Sequence, residues 1–331
     1  MSEPLLRLRK LKVIFPAEQG IVKAVEGIDI DVFNGECVAL VGESGCGKSV
    51  TSLSIIRLLN TPPAIIQAKE ISLEGEDIKD LPESKMEHIR GNKISMIFQD
   101  ALTALNPVMT IGKQIDEVFI RHNKISKKEA RLRTIEALRL VGIPEPRSRA
   151  KNFPHQLSGG LRQRVLIAMA FACMPKLIIA DEPTTALDVT IQAQVLHVLS
   201  EMQKKHGVSL LLITHDLSVV VHTADVVYVM YSGKIVEKAK VEDLFSNPHH
   251  PYTEGLLGSI PKLSDTERHF VQIPDSVPHP MFKPNGCYFH PRCKYATELC
   301  KNKMPPLLKI DGNREIRCFH PLNMEEVGDK K

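Results

Sequence analysis

The sequence contains no tryptophan, and aromatic residues make up only 5% of it. It also has no apolar run near the roughly 18 residues that a membrane-spanning helix needs. The stretch 165–175 is among the longest uncharged ones and is far too short. The first residues, MSEPLLRLRKLKV, lack the apolar core and small-residue cleavage site of a secretory signal. These absences predict a cytoplasmic chain that reaches a membrane only through partner proteins.

Charge and cysteine content narrow the class further. The formal net charge of +4 is too small to indicate nucleic-acid binding, and we expect no nucleic-acid partner. Seven cysteines are present, but the C-x2-C pair usual in structural zinc sites is absent from the sequence. With 43% hydrophobic and 25% charged residues, the composition is that of a globular protein. A length of 331 residues allows one large domain and a smaller one.

The most informative stretch is the glycine-rich segment 42–49, which follows an apolar run and precedes a helix-compatible sequence. Its spacing, G-x-x-x-x-G-K-S, is that of a phosphate-binding P-loop. Glycines let the backbone wrap closely, so that loop amides and the helix N-terminus can bind phosphate oxygens. Lys48 would reach the β- and γ-phosphates, and Ser49 would ligate Mg²⁺. The residues expected to bind the nucleotide here are Ser44, Gly45, Cys46, Gly47, Lys48, Ser49 and Val50.

Two stretches before the P-loop, 5–15 and 21–33, alternate apolar and polar residues, and each predicts a β-strand. Asn34-Gly35 is a hairpin-turn signal, so we expect these two antiparallel strands to flank the nucleotide strand. Phe15, at the expected end of the first strand, is placed to stack on adenine. An ordinary core or edge phenylalanine would fit the same pattern.

Polar side chains follow three further apolar strands at their carboxyl ends, where ligands bind in open α/β sheets. These are Gln99 after strand 93–98, Asp181 and Glu182 after strand 177–180, and His215 after strand 208–214. Asp181 would hold Mg²⁺ and Glu182 would activate the attacking water. Gln99 would contact Mg²⁺ or that water, although a glutamine that merely caps a strand end would look the same. His215 would face the γ-phosphate.

The region from about 100 to 160 predicts a helical insertion between strands of the core. A capping box begins at Ser126, and Gly142 is expected to end the helix that follows. The helical spacing of Leu132, Ile135 and Leu138 predicts its buried stripe. The next apolar segment begins with an expected N-cap and two glycines: Ser158, Gly159 and Gly160. Glycines at a helix start leave N–H groups accessible, which suits a second anion site. The alternative is an ordinary helix N-terminus that glycine makes more flexible and that binds no anion.

In this order and spacing, the motifs resemble those of the nucleotide-binding subunits of ABC transporters over about residues 5–260. The resemblance is carried by the P-loop, Gln99, the LSGG of 157–160, the acids 181 and 182, the turn 186–188, and His215. It implies an α/β fold with a P-loop ABC-type core. Such a core has a mixed sheet, an antiparallel β subdomain and a helical subdomain, here about 100–160.

The resemblance also implies a mechanism in which two subunits dimerise head to tail. The P-loop of one subunit and the LSGG of the other would then enclose ATP. Ser158 would bind the γ-phosphate of the partner's nucleotide, Glu182 would activate water, and His215 would hold and sense the γ-phosphate. Asp188 would bridge the dimer. The helical region would press on a membrane permease through the segment after Gln99.

The sequence departs from the family pattern at two positions: Leu161 stands where glutamine is common, and Ala101 stands where proline is common. Neither position carries chemistry. The stretch 247–257, with its N-P-H-H-P-Y-T, and the long tail resemble the importers of dipeptides, oligopeptides and nickel. We therefore expect peptide import, with nickel or another small solute as the alternative cargo. A soluble ABC ATPase usually has a coiled-coil insertion or two cassettes, and this sequence has neither.

The subfamily resemblance implies several partners and a location. The partners are a second, homologous ATPase subunit or a second copy of this chain, two transmembrane permease subunits, and an extracytoplasmic solute-binding protein. The chain would lie at the cytoplasmic face of the cell membrane as a peripheral subunit. We expect the ATPase domain at 1–260 and a small irregular extension at 261–331, joined by a proline-rich linker.

The extension carries a cluster of four cysteines: Cys287, Cys293, Cys300 and Cys318. Four thiolates suit either Zn²⁺ or a [4Fe–4S] cluster, and the long spacings favour the larger cluster. Extensions of the peptide-importer subfamily resemble this stretch and can bind [4Fe–4S]. Zinc and free or paired thiols remain the alternatives. His290 and His320 are expected to be structural, as are the isolated cysteines elsewhere. Because Cys46 lies inside the P-loop, sensitivity to oxidation is a further expectation for it.

Overall fold

The structure is a computed structural model that describes residues 3–18, 20–185, 187–259, 273–312 and 314–323. The chain divides into two compact units, each assembled from separate stretches of sequence. The first unit contains Met1–Leu6, Asp31–Cys37 and Ser72–Ile213. The second contains Arg7–Ile30, Val38–Ile71 and Thr214–Lys331.

The strands are β1 Leu6–Ala17, β2 Gly20–Val32, β3 Cys37–Val41, β4 Ile65–Gln67, β5 Glu70–Leu73, β6 Glu76–Asp77, β7 Ile94–Ile97, β8 Leu177–Asp181, β9 Ser209–Thr214, β10 Val226–Tyr231, β11 Lys234–Lys240, β12 Leu308–Asp311 and β13 Arg314–Ile316. The helices are α1 Lys48–Ile55, α2 Glu83–Ile89, α3 Ala101–Ala104, α4 Ile111–Asn123, α5 Lys127–Leu140, α6 Pro146–Arg149, α7 Gly159–Phe171, α8 Val189–His206, α9 Leu217–Thr223, α10 Val241–Ser246, α11 Pro251–Gly258 and α12 Glu298–Asn302. Short 3₁₀ turns lie at Pro154–Gln156 and His290–Arg292.

In the first unit, β8 pairs in parallel with β7 on one side and with β9 on the other. Every residue of β8 and β9 is buried, which explains why both sequences are continuous apolar runs rather than alternating ones. The register places Ile97 beside Ala180 and Asp181 beside Ile213. The polar residues that follow β7 and β8 therefore emerge at the same edge of this sheet.

The helical part of the first unit contains α3 to α6. Helix α5 begins as predicted, because the Ser126 side chain accepts a hydrogen bond of 3.2 Å from the Glu129 amide. Its buried face consists of Ala130, Thr134 and Leu138, and the Thr134 hydroxyl donates to Asp116 of α4. Leu132, which the apolar spacing had placed on the buried stripe, is 61% exposed. The smaller Ala130 and Thr134 face α4, because close packing between the two helices decides which side of α5 is buried.

In the second unit, β3 pairs in parallel with β10, and β10 forms an antiparallel hairpin with β11 through the turn at Ser232-Gly233. Strand β13 of the extension adds to the far edge of β11, with Glu237 beside Ile316, and β12 pairs with β13. The extension was expected to be irregular. Its last part is instead two strands of the same sheet, too short and too polar to register as strands in the sequence.

Two expectations near the P-loop need correction. Strand β1 continues two residues past Phe15, and β1 and β2 belong to a sheet different from that of β3. The turn at Asn34-Gly35 thus changes sheets rather than closing a hairpin onto the nucleotide strand. The apolar spacing of Leu53, Ile56 and Leu59 predicts a helix over 49–59. Helix α1 instead ends at Ile55, because Arg57 adopts a left-handed conformation with φ of 53°. Among the described residues, no helix is long and apolar enough to cross a membrane.

Candidate active site

The P-loop connects β3 to α1 in the second unit and forms a close-fitting cradle. Gly47 has φ of 110°, and a Cβ atom there would lie 2.5 Å from the Ala24 carbonyl oxygen. A Cβ on Gly42 would lie 2.2 Å from the Met230 carbonyl oxygen. Only glycine is compatible with either position, because both backbone strain and a clash with main chain would follow from any side chain. The predicted glycine requirement is thus a steric property of this loop.

The side chain of Lys48 is buried beneath this loop. Its Nζ donates to the carbonyl oxygens of Gly42 at 2.7 Å and Glu43 at 3.1 Å. The first turn of α1 carries no acidic residue, so the N-terminal amides face no negative side chain of their own helix. A cation and a helix N-terminus at one glycine-lined loop fit the phosphates of a nucleotide.

The remaining P-loop residues differ in exposure. Ser44 and Gly45 lie exposed at the loop crest, while Ser49 and Val50 are half-buried in the first turn of α1. Cys46 is buried, and burial raises the pKa of its thiol. The positive charge of Lys48 acts to lower this pKa, but the effect of burial is larger. A buried, protonated thiol reacts slowly, so the structure does not favour the predicted oxidation sensitivity of Cys46.

In the first unit, the acids after β8 are held in a strained and specific arrangement. Asp181 and Glu182 are both buried, and Glu182 has φ of 45°, a conformation that non-glycine residues rarely adopt. The Glu182 carboxylate accepts hydrogen bonds from Gln99 Nε2 at 3.1 Å and from Thr185 Oγ1 at 2.9 Å. The structure therefore brings Gln99 and Glu182 together, and it adds Thr185, which the sequence pattern did not single out.

The LSGG segment begins helix α7 in the first unit. Ser158 occupies the N-cap position and is exposed, but its side chain makes no capping hydrogen bond. A Cβ on Gly160 would lie 2.4 Å from Ile191 Cγ2, and one on Gly159 would lie 3.2 Å from Leu187 Cδ2. The two glycines let α7 begin close against the start of α8. Ser158 is thus an exposed hydroxyl at an open helix N-terminus.

Three further predicted residues have simple surroundings. Asp188 caps α8 by accepting a 3.0 Å hydrogen bond from the Ile191 amide. His215 follows β9 in the second unit and is exposed. Phe15 lies within β1 and is half-buried, which is compatible with either a stacking or an edge role.

Two buried ion pairs of the second unit were not predicted. Arg292 of the extension pairs with Glu43 of the P-loop. Glu237, fully buried on β11, accepts the amides of His249 and His250 at 2.9 Å each, and the guanidinium of Arg314 at 3.0 Å. The second set gives the N-P-H-H-P-Y-T motif a physical role, since its backbone docks on one buried carboxylate. Each pair joins residues far apart in sequence, so spacing carried no signal for it.

The predicted metal-binding cysteines lie together in the second unit. All four line one small cavity whose walls also include Phe289 and Pro305. Cys318 lies half-buried beside the other thiols, and its partial burial raises its pKa to about 12. His290 and His320 are hydrogen-bonded within the extension, as a structural role requires.

No single-ion metal site is formed in the part of the chain that the structure describes. Within it, no group of three or more His, Cys, Asp or Glu side chains is arranged to hold a metal ion. The structure therefore gives the zinc alternative no support, and the cysteine cavity by itself does not establish the iron–sulfur cluster. All seven cysteines are free, so the cavity holds no disulfide.

The parallel strands, the glycine-lined loop with its buried lysine, and the acids after β8 define a P-loop nucleotide-binding protein. The ABC transporter family matches residues 25–185, and the oligopeptide/dipeptide transporter C-terminal region matches residues 236–300. The second match stops before Cys318, so it covers three of the four clustered cysteines.

Curated relatives match almost the whole chain. The oligopeptide transport ATP-binding protein AppD of Bacillus subtilis is 51% identical over 95% of this chain and 96% of its own length. OppD of the same organism is 48% identical, covering 96% of this chain and 89% of that protein. The dipeptide transport ATP-binding protein DppD of Escherichia coli is 45% identical over 96% of this chain and 97% of its own.

Solved structures of an ATP-binding cassette have a fold similar to that of this chain. The ATP-binding cassette MJ0796, in a dimeric post-hydrolysis state with ADP and phosphate, is 27% identical with a TM-score of 0.63. It covers 71% of this chain and 98% of the cassette. The chain belongs to the ABC transporter family, as one of its ATP-binding proteins. The α/β fold predicted from the motifs is confirmed.

Proposed function

We propose that the chain is the ATP-hydrolysing subunit that powers import of oligopeptides or dipeptides by an ABC transporter. The observation that carries the ATPase assignment is the buried Glu182 carboxylate, held by Gln99 at 3.1 Å after a β-strand of a P-loop protein. Peptide cargo is supported by the relatives, which are named for oligopeptide or dipeptide transport. Nickel or another small solute has no such support.

Binding of ATP begins at the cradle of the P-loop. Lys48 and the amides of segment 44–50 neutralise the phosphate charge, and the glycines allow that close approach. Moving Lys48 from the Gly42 and Glu43 carbonyls to the phosphates would exchange neutral acceptors for charged ones, which strengthens its hydrogen bonds. Phe15 is the candidate for stacking on the adenine.

Hydrolysis uses the residues after β8. Ser49, Gln99 and Asp181 would supply the oxygen donors that Mg²⁺ prefers, and the bound ion would offset phosphate charge. Glu182 accepts a proton from the attacking water as a general base. Its hydrogen bonds from Gln99 and Thr185 fix the direction in which the carboxylate points. His215 would hold the γ-phosphate and report its loss.

The site is completed by a second subunit. The exposed Ser158 hydroxyl, which makes no capping bond in its own helix, and the amides at Gly159 and Gly160 suit the γ-phosphate of a nucleotide bound across a dimer. Asp188 would line the same interface. A dimer of this kind is supported by the cassette MJ0796, which was solved as a dimer with ADP and phosphate.

The remaining assignments follow from the family. The chain lies at the cytoplasmic face of the membrane and works with a partner ATPase subunit, two permease subunits and a solute-binding protein. The helical region of about 100–160 contacts the permeases. We place the ATPase domain at 1–260 and the extension at 261–331, and the match of the C-terminal region, residues 236–300, spans this boundary.

The test of the ATPase assignment is Glu182→Gln in the purified transporter. We expect ATP turnover to fall about 100-fold or more, with ATP binding kept and ATP-bound dimers accumulating. The matched control is Glu201→Gln, an exposed acid of α8 in the same unit, which should leave turnover unchanged. Equal turnover in the Glu182 variant and the wild type would remove Glu182 from the mechanism.

For the extension we propose a [4Fe–4S] cluster held by Cys287, Cys293, Cys300 and Cys318. Support comes from the one cavity that all four cysteines line. Such a cluster would stabilise a part of the chain with little hydrophobic core. Anaerobically purified protein should be brown and contain iron, and Cys300→Ser should lose both. Colourless, iron-free protein would contradict the proposal.

A further inference from the structure

Arg292 lies in the extension between two of the clustered cysteines and is 2% exposed, which is unusual for a charged side chain. Its guanidinium meets the carboxylate of Glu43, the second residue of the P-loop segment. Nη1 donates to Glu43 Oε2 at 2.7 Å, and Nη2 donates to Oε1 at 2.9 Å. This is a bidentate pair, the strongest arrangement available to arginine and a carboxylate.

The other donors of Arg292 are also used. Nε donates to the Pro274 carbonyl at 2.7 Å, and Nη2 donates to the Asp275 carbonyl at 3.1 Å. The Arg292 amide donates to the Phe289 carbonyl at 3.0 Å, which fixes the backbone of the short turn between Cys287 and Cys293. The guanidinium is therefore held in one orientation by the extension, and that orientation positions Glu43.

A second contact fixes the backbone of the same P-loop residue. Tyr252 of α11 is fully buried, and its hydroxyl accepts a 2.9 Å hydrogen bond from the Glu43 amide. Its ring packs against Tyr231 and Phe289, with ring centroids 4.7 and 5.3 Å away. Both the side chain and the amide of Glu43 are thus held by residues that follow the core motifs in sequence.

The constrained segment is the one that accepts the Lys48 ammonium, through the carbonyls of Gly42 and Glu43. A shift of Glu43 would therefore move the cradle and its lysine together. We propose that Arg292 and Tyr252 are positioning residues for the P-loop, so that the affinity for ATP depends on the folded extension and on α11, which precedes it. The proposal rests on the ATPase function proposed above, and it makes the extension part of the nucleotide site rather than an appendage.

The test measures KM and kcat for ATP in the purified transporter with full-length variants. Arg292→Met should raise KM about tenfold, because it removes two charged hydrogen bonds and leaves Glu43 free to move. Tyr252→Phe keeps the ring packing and loses one hydrogen bond, so KM should rise about threefold. Arg292→Lys retains the charge without the bidentate geometry and should give an intermediate KM. In each variant, the change in KM should exceed the change in kcat.

The matched control is Lys294→Met, which removes an exposed ion pair with Glu254 two residues from Arg292 and should not alter KM. The double variant Glu43→Gln with Arg292→Met should have the same KM as whichever single variant binds ATP more weakly, because both substitutions break the same contact. Thermal unfolding of each variant shows whether the protein is still folded. A smaller folded fraction lowers the apparent kcat alone, whereas loss of P-loop positioning raises KM. If the wild type hydrolyses ATP and Arg292→Met keeps its KM, or only kcat falls, the proposal is wrong. A wild type without turnover would instead contradict the proposed function.

Discussion

At the residue scale, the nucleotide site depends on backbone conformations that few residues can adopt. Gly47 has φ of 110° and lies against the Ala24 carbonyl, and Glu182 has φ of 45° with its amide donating to the Ile213 carbonyl at 2.9 Å. Left-handed backbone at a non-glycine residue costs about 1–3 kcal/mol and persists where surrounding contacts determine it. At Glu182 those contacts include Gln99 and Thr185, which also aim the carboxylate.

Gly47→Ala tests the steric part of this argument. The methyl group would sit 2.5 Å from a carbonyl oxygen, so we expect loss of ATP binding and a destabilisation above about 3 kcal/mol. Gly35→Ala is the matched control, because Gly35 has φ of 73° but nothing within 4 Å of an added Cβ. It should cost about 1 kcal/mol and keep ATP binding. Urea unfolding and nucleotide titration measure both effects, and equal losses in the two variants would contradict a steric cause.

At the element scale, the extension is joined to the core as part of a sheet. Strand β13 pairs with β11. Beside this pairing, the Glu237 carboxylate accepts hydrogen bonds from Arg314 of the extension and from the amides of His249 and His250. A fully buried carboxylate is tolerated only when several donors satisfy it, and here three groups do so. One side chain thus fixes the start of α11 and the last strand of the extension.

Glu237→Gln should therefore destabilise the protein by about 3 kcal/mol, since Arg314 would keep a buried charge without its partner. Glu315→Gln is the control on the adjacent strand. Its partner Lys238 is 3.8 Å away at a more exposed position, so its loss should cost less than about 1 kcal/mol. Denaturant unfolding of the full-length variants gives both numbers. Similar costs would show that Glu237 does not hold the extension in place.

The core elements could be predicted from the sequence because their signals are local, and the proposed site residues were selected from signals of the same kind. Buried strands such as β8 and β9 are apolar runs, and the P-loop residues are contiguous. The pairing of β13 with β11 and the contact between Arg292 and Glu43 could not be predicted, since they join residues 77 to 249 positions apart. Leu132 was placed on the wrong face because apolar spacing does not reveal that α4 meets the smaller Ala130 and Thr134.

At the scale of the whole molecule, the proposed mechanism gives one chain two halves of different ATP sites. The P-loop would bind phosphates with residues of its own chain, whereas the exposed Ser158 side chain at the N-terminus of α7 makes no capping hydrogen bond. Helix α5 offers a comparison, because its N-cap Ser126 accepts the Glu129 amide and satisfies its own helix. The difference leaves the Ser158 hydroxyl available, and in the proposed mechanism it would bind the nucleotide of the partner subunit.

Ser158→Glu tests this division between subunits. A carboxylate at the start of α7 would repel the γ-phosphate across the dimer, so ATP-dependent association should be lost and turnover should fall about 100-fold. ATP binding to the isolated chain should stay unchanged, because its own P-loop is untouched. Ser126→Ala should behave oppositely, losing about 1 kcal/mol of stability through its cap while associating normally with ATP. Sedimentation with and without ATP, alongside nucleotide titration, separates the two. Weakened ATP binding to isolated Ser158→Glu chains would place Ser158 in the site of its own subunit.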